Sequence, residues 1–566
     1  MPSRPTPAFR RTVRTTAACA AVLTMLTYPG PTARAEQPRQ QQRVHWLPCD
    51  QVLKPAPPLD PDIADCAVRQ VPRDHAHPAG KTVGVVMLRH KAKDPANRLG
   101  TLFVNPGGPG QSGLHFAYRA EKYLTPEVLA RYDVIGFDPR GVGQSAAVKC
   151  FTSQEEADAA LGGKHEPPLT PGETAATLHA ERAYTDACAR DGGPLLPHMT
   201  TADVARDLDL LRQGVGAQRL NFAGFSYGSM IGATYANLFP RHTGALILDG
   251  NIDPLLRMTD GVEYDRQRAV GAEEVLTAFL RACAGEPDRC AFGGGAPAAA
   301  FDAIRHRLRQ GPLTLPDGKV VDFGGFGDQV LGRLSAGDLS GLARWLHTLH
   351  AAVSQAPSPR SKGAARVAPE SPKSAAQVAP ENPKSAAQVA PESPKSAAQV
   401  APESPKSAAH VAPEKRTAYR GNDSGNAVNC GEKPYPLPAG VWPALAERWE
   451  RTSPTFGRSQ AFDALPCATW PVRASDNTGA YTGPWDRPVA RTALVIGNRF
   501  DPVTPYSFAE TMAARLADAR LLGVDMYGHT AMGLNACVDR LATRYLTEGD
   551  VPPDGTVCPA DAPPFG

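Results

Sequence analysis

The chain has 566 residues, 42% hydrophobic and 21% charged, which suits one large domain with insertions or two or three ordinary ones, each with a normal core. Its formal charge of +3 comes from the N-terminal leader: Arg4, Arg10, Arg11, Arg14 and Arg34 are the charged residues of positions 1–35, and without those five the balance is −2. No basic patch then remains to argue for nucleic acid, and a near-neutral surface suits diffusing, uncharged substrates.

Positions 1–35 read as a signal peptide. Arg10, Arg11 and Arg14 form the charged n-region, Thr16 to Tyr28 the apolar stretch, and Ala33-Arg34-Ala35 a small-x-small cleavage site. The apolar stretch is too short to span about 30 Å of hydrocarbon, and no later segment is long and apolar enough, so no stable membrane association is expected. The Arg10-Arg11 pair leaves both general secretory and twin-arginine export open, and the expected location is extracellular. Cys19 lies in the leader, so the exported chain keeps ten of eleven cysteines: 49, 66, 150, 188, 283, 290, 430, 467, 537 and 558. An even number outside the cell implies disulfides, and no pair has the close spacing of zinc ligands. Many connectivities are open. Pairing sequential neighbours is the simplest, with Cys283–Cys290 first because its loop is so short.

In chain order, strands are predicted at 82–89, 99–105, 132–138, 219–224, 244–250, 492–498 and 519–526, each an apolar or β-branched run with turn signals behind it. Helical patterns separate several of them. Val204, Leu208 and Leu211 mark one face of 202–211, with Thr201 as the expected N-cap, and Phe508, Met512 and Leu516 do the same in 507–516. Such alternation predicts an α/β fold, a mostly parallel sheet covered on both faces.

The alternation stops between 251 and 485, where 267–282 and 340–351 read as amphipathic helices. This stretch is expected to be a lid inserted between two parts of the core, 36–250 and 486–566. Within it an eleven-residue unit, VAPESPKSAAQ, recurs with small changes from Val367, Val378, Val389, Val400 and Val411. Two prolines per unit forbid a helix, and with no aromatic residue the tract cannot bury a core. A solvated, disordered spacer is expected over 356–418.

Gly224-Phe225-Ser226-Tyr227-Gly228 follows one predicted strand and opens a helical run, 228–238. This is the G-x-S-x-G nucleophile elbow in its strand–turn–helix setting, and it points to the α/β-hydrolase fold with Ser226 as nucleophile. The turn holds the serine in a strained conformation at a helix N-terminus, whose dipole favours developing negative charge. Fold relatives that attack with aspartate are disfavoured by the serine at 226. A serine needs a base, and the base an orienting acid, which in this fold follow it in the order acid, histidine. Asp501 ends one late strand and His529 follows the next. Asp249 and Asp253, after strand 244–250, are rivals for the acid. Two backbone amides are needed for the oxyanion: that of Tyr227, and one from Asn105-Pro106-Gly107-Gly108-Pro109-Gly110, with Gly108 first and Gly107 next. A non-catalytic binding protein on the same scaffold would usually lack a triad member, and none is missing.

Taken together, NPGGPGQSG at 105–113, YDVIGFDPRGVGQS at 132–145, NFAGFSYGSMIGATYANLFP at 221–240, ALILDGNIDP at 245–254, PCATWPV at 466–472, GNRFDPVTP at 497–505 and GHT at 528–530 resemble the secreted bacterial tripeptidyl aminopeptidases, relatives of the prolyl aminopeptidases with a TAP-like C-terminal region. The resemblance runs from about Cys49 to Cys558 around the repeat. It implies a Ser226–Asp501–His529 triad, peptide substrates cut from free N-termini, and no metal or organic cofactor. An esterase or lipase-like hydrolase would use the same triad. The resemblance also places an acidic residue two after a lid cysteine. Here that is Cys430-Gly431-Glu432, which makes Glu432 a candidate for the substrate's α-ammonium, with Glu263 and Glu274 as others.

Overall fold

The computed structural model describes residues 43–55, 58–355, 417–477 and 479–566. The signal-peptide reading and nearly all of the repeat lie outside these residues. Eleven strands are described: β1 (Ala64–Pro72), β2 (Thr82–His90), β3 (Gly100–Asn105), β4 (Tyr132–Phe137), β5 (Leu220–Phe225), β6 (Thr243–Asp249), β7 (Leu313–Thr314), β8 (Val320–Val321), β9 (Ala493–Phe500), β10 (Ala519–Tyr527) and β11 (Thr556–Pro559). Strands β7 and β8 form a separate hairpin. The other nine make one sheet in the order β1-β2-β4-β3-β5-β6-β9-β10-β11, antiparallel from β1 to β4 and parallel from there on. This is the α/β-hydrolase fold.

Alternation along the strands feeds two apolar layers. On β5, Phe222 packs with Leu208, Leu211, Met230 and Phe508 of the helices Thr201–Gly214, Tyr227–Leu238 and Tyr506–Arg515. Its neighbour Ala223 faces the opposite layer, with Leu114, Val128, Val538 and Tyr545 of the helices Gly113–Tyr118, Pro126–Arg131 and Ala536–Thr547. Each large apolar side chain so buried contributes about 1.5–3 kcal/mol, so both faces are needed to hold the central strands.

Between β6 and β9 the described chain adds helices and the small hairpin but no strand to the main sheet. Helices Gly261–Gly285, Pro297–Leu308, Phe323–Ser335 and Leu339–Gln355 have their own core, around Phe279, Phe301, Phe326, Leu342 and Leu346. Cysteines pair as sequential neighbours throughout: 49–66, 150–188, 283–290, 430–467 and 537–558. None of the described helices is long and apolar enough to cross a membrane. Paired cysteines fit an exported protein.

Two local details differ from the sequence reading. Strand β1 was hidden because its pattern is inverted, with Arg69 buried and Val68 exposed beside Gln70, and because its ends carry Asp65 and Pro72, which weakens the β-strand pattern. And the helix Thr201–Gly214 is capped by Thr200, not Thr201: the Thr200 hydroxyl accepts from Asp203 N, and the Asp203 carboxylate closes the box onto Thr200. Thr201 is thus the first helical residue, and its hydroxyl is free for another task.

Candidate active site

Because β3, β5, β6, β9 and β10 run parallel, the loops after them open at one edge of the sheet, where ligand sites of open α/β sheets form. Ser226 sits there between β5 and the Tyr227–Leu238 helix, with φ 55° and ψ −126°. Such a φ is disfavoured for any side-chain-bearing residue, and the turn is held because its glycines permit close contact. A Cβ at 224 would lie 2.2 Å from Gly228 O, and one at 228 would lie 2.5 Å from Asn105 O. The Ser226 amide donates to Asp249 O at 2.8 Å, tying the elbow to the end of β6.

The loop after β3 lies against this turn. A Cβ at Gly107 would come within 2.5 Å of Phe225 O and 2.6 Å of Tyr227 N, so the two predicted sources of oxyanion amides are in contact. Gly107 donates its own amide to Asn105 Oδ1 at 2.9 Å. Gly108, the next residue, is exposed.

Asp501 and His529 meet. His529 Nδ1 lies 2.8 Å from Asp501 Oδ2, with the carboxylate fully enclosed and the ring 19% exposed. Three further donors fix the carboxylate: Val503 N and Thr504 N to Oδ1, at 2.8 and 2.9 Å, and the Thr504 hydroxyl to Oδ2 at 2.8 Å. Burial alone would pull the imidazole down, but the charge and hydrogen bond of Asp501 outweigh it and hold His529 above its ordinary value. The ring packs beside Gly250, one residue beyond the Asp249 carbonyl that takes the Ser226 amide. Serine, histidine and aspartate thus gather at neighbouring strand ends.

The rival acids have other partners. Asp249 is fully buried and accepts from Ala531 N and Met532 N at 2.9 Å each, so it clamps the loop beyond His529. Burial pushes its carboxyl up to about 6. Asp253 caps the helix Pro254–Thr259 by accepting from Leu256 N.

Glu432 takes a place different from the one expected. It is 2% exposed and ion-paired with Arg257 at 2.8 Å. Its Oε1 also accepts from the Thr201 hydroxyl, and Oε2 from Thr201 N, each at 2.8 Å. A carboxylate so enclosed, with three bonds already made, is turned inward to Arg257 and Thr201. Glu263 binds Arg266 and Gln267, while Glu274 is exposed on the same helix.

Residues 100–285 match the α/β-hydrolase fold family and residues 453–558 the TAP-like protein family. The tripeptidyl aminopeptidase of Streptomyces coelicolor is 30% identical over 534 residues, 89% of this chain and 84% of that protein. The chain belongs to the tripeptidyl aminopeptidase family. Serine protease Hip1 of Mycobacterium tuberculosis is 28% identical over 94% of this chain and 93% of its own length. Carboxylesterase B of the same species is 28% identical over 88% and 86%. This tripeptidyl aminopeptidase relative is a serine hydrolase, and its relatives support a serine peptidase.

Several residues of the site in this family member escaped the sequence reading. Thr504 bonds the Asp501 carboxylate and lies 3.3 Å from His529 Nδ1. Its signal was local, a threonine three residues after an aspartate, the usual spacing of a side-chain turn. Asn498 brackets His529 by donating to Gly528 O and Thr530 O, both at 2.8 Å. Ser335 O accepts the His529 amide at 2.8 Å from a helix of the inserted segment. No sequence pattern announces those long-range partners.

Proposed function

We propose that this is an exported serine exopeptidase that releases short peptides, tripeptides by analogy with the Streptomyces relatives, from free N-termini. The observation that carries it is the Asp501–His529 hydrogen bond at 2.8 Å, beside a strained Ser226 elbow, in a chain of this family. Ser226 attacks the scissile carbonyl and His529 takes its proton. Asp501 holds the proton on Nδ1, leaving Nε2 to act as base, and the amides of Tyr227 and Gly108 receive the oxyanion. His529 then protonates the leaving amine, and water clears the acyl-enzyme. Export is supported by the leader pattern and by five disulfides.

An N-terminal ammonium in a partly desolvated cleft needs an anion. With Glu432 committed to Arg257, the acid is to be sought among carboxylates that still face open space. One cavity is walled by Glu166, Asp328 and Asp463, of which Glu166 pairs with Lys164. The carboxylesterase relative supports a second reading, hydrolysis of carboxylic esters by the same three residues.

Mass spectrometry of digests made with matched free and N-acetylated peptides separates these readings. Free peptides are expected to lose short N-terminal fragments, acetylated ones to be cut far more slowly, and Ser226→Ala to do neither. Equal rates on blocked and free peptides would refute the exopeptidase reading, and turnover of aryl esters without any peptide cleavage would favour the esterase.

A further inference from the structure

The helix Ser424–Glu432 touches both halves of the proposed oxyanion hole. At its start it lies on the loop after β3. Asn422 Nδ2, just before the helix, donates to Gly110 O at 2.9 Å. A Cβ at Gly110 would be 2.9 Å from Gly425 N, and one at Gly425 would be 3.1 Å from Pro109 O. Ser424 bonds Gly141 O in the loop after β4. At its end, Glu432 reaches toward the elbow.

The chemistry at that end fixes the direction of each hydrogen bond. A carboxylate only accepts, so the single hydroxyl proton of Thr201 goes to Glu432 Oε1. The Tyr227 hydroxyl, 2.5 Å from Thr201 Oγ1, is then the donor to it. Burial, and next the Glu432 charge, push that phenol well above its ordinary value, which keeps the proton in place. Arg257 closes the circuit: it pairs with Glu432, donates to Asn429 Oδ1 at 3.1 Å, and lies over the Tyr227 ring at 5.2 Å. Tyr227, Thr201, Arg257 and Glu432 are all at most 4% exposed. The disulfide Cys430–Cys467 holds the helix from outside.

We infer that the Arg257–Glu432–Thr201 circuit consists of positioning residues for the reaction. Through the Tyr227 side chain it sets the Tyr227 amide against the loop Gly107–Gly110, so that both oxyanion donors are aligned by one helix of the inserted segment. This inference rests on the oxyanion assignment made above. It gives the acid two after the lid cysteine a role in transition-state geometry rather than in binding the substrate amine.

Removing Glu432 itself would strand the buried Arg257 cation and endanger the fold, so the test uses Tyr227→Phe, which deletes the one hydroxyl contact between circuit and elbow, and Thr201→Val, which deletes that contact together with the Thr201 hydroxyl bond to Glu432. Turnover is measured on a 4-nitrophenyl ester as well as on peptides, with Ser226→Ala as control, so that failure of the peptidase reading cannot mask the result. Each variant is expected to lose about tenfold in kcat, the worth of one hydrogen bond, with KM nearly unchanged; Tm is expected to hold in Tyr227→Phe and to fall in Thr201→Val, which leaves buried partners unpaired. Affinity for a peptide boronic acid, which forms a tetrahedral adduct on the serine, is expected to fall by the same factor. The double variant should be no worse than either single one, and Thr201→Ser should recover the activity. An unchanged kcat in Tyr227→Phe, a loss confined to KM, or additive losses in the double variant would overturn the inference.

Discussion

Replacing Asp501 by asparagine changes charge and donor pattern but almost no shape. Its Oδ1 accepts from Val503 N and Thr504 N at 2.8 and 2.9 Å, two fixed donors of one turn. The variant's amide oxygen must therefore take that side, which turns its NH2 toward His529 Nδ1, 2.8 Å from the atom it replaces. Two N–H groups cannot face each other, so the imidazole is driven to the tautomer with Nδ1 bare and the proton on Nε2. A protonated Nε2 cannot accept the Ser226 proton. The expected loss in kcat is about 10⁴-fold, or about 5.4 kcal/mol of barrier. The backbone bonds to the turn survive, so the melting temperature should move by only a few degrees. Steady-state turnover on a chromogenic tripeptide amide, with a circular dichroism melt of each protein, makes the comparison. A folded Asp501→Asn protein within about tenfold of wild type would refute the tautomer argument and return the acid role to open competition.

The raised value of His529 predicts that kcat/KM climbs with pH along a limb whose midpoint lies above 6.5, and that the limb shifts downward in Asp501→Asn. For stability the sign is opposite: a histidine raised on folding stabilises fully below about pH 6.5, and that contribution is lost as pH rises through the folded value, which melts across pH 5–9 will register. Gly107→Ala is expected to cost about 10²–10³ in kcat, the worth of one oxyanion donor, because its Cβ would meet Phe225 O and Tyr227 N, backbone atoms that cannot step aside; a variant with full turnover would show that the loop and the elbow amide are not the oxyanion site. Thiol titration of the exported, denatured, unreduced protein should find essentially no free cysteine, and several reactive thiols would contradict the five pairings.

What was legible in the sequence was local. All seven predicted strands are present, because each carries its own apolar run and turn signal, and Ser226, Asp501 and His529 lie at strand ends where the pattern put them. Only geometry separates Asp501, the carboxylate that meets His529, from its rivals. Asp249 ends β6 and Asp501 directly follows β9, but Asp249 accepts from Ala531 N and Met532 N. The buried setting of Glu432 was hidden for a related reason. Its partners Arg257 and Thr201 are 175 and 231 residues away in the chain, and no local signal distinguishes a carboxylate that will be buried and paired from one that will face a cleft. The cap at Thr200 rather than Thr201 is a smaller instance: two adjacent threonines have equal capping chemistry, and tertiary demand for the Thr201 hydroxyl accompanies the choice.

The same geometry bears on why a peptidase rather than an esterase is the better reading of a triad common to both. An ester's alkoxide or phenolate can depart with little help, whereas an amine leaves a tetrahedral intermediate only after its nitrogen is protonated. In the proposed mechanism the proton that His529 takes from Ser226 must therefore be retained through the addition step and delivered afterwards. Asp501 opposes the effect of burial and raises His529, which stabilises the imidazolium over that interval. Thr504 and the two turn amides keep the carboxylate oriented while the charge is present. Asn498 and the Ser335 carbonyl hold the backbone on either side of the ring. A second buried acid, Asp249, lies close enough to favour the cation as well. An amide-cleaving enzyme has more need of such support than an ester-cleaving one, and here it is drawn from two strands of the sheet and one helix of the inserted segment.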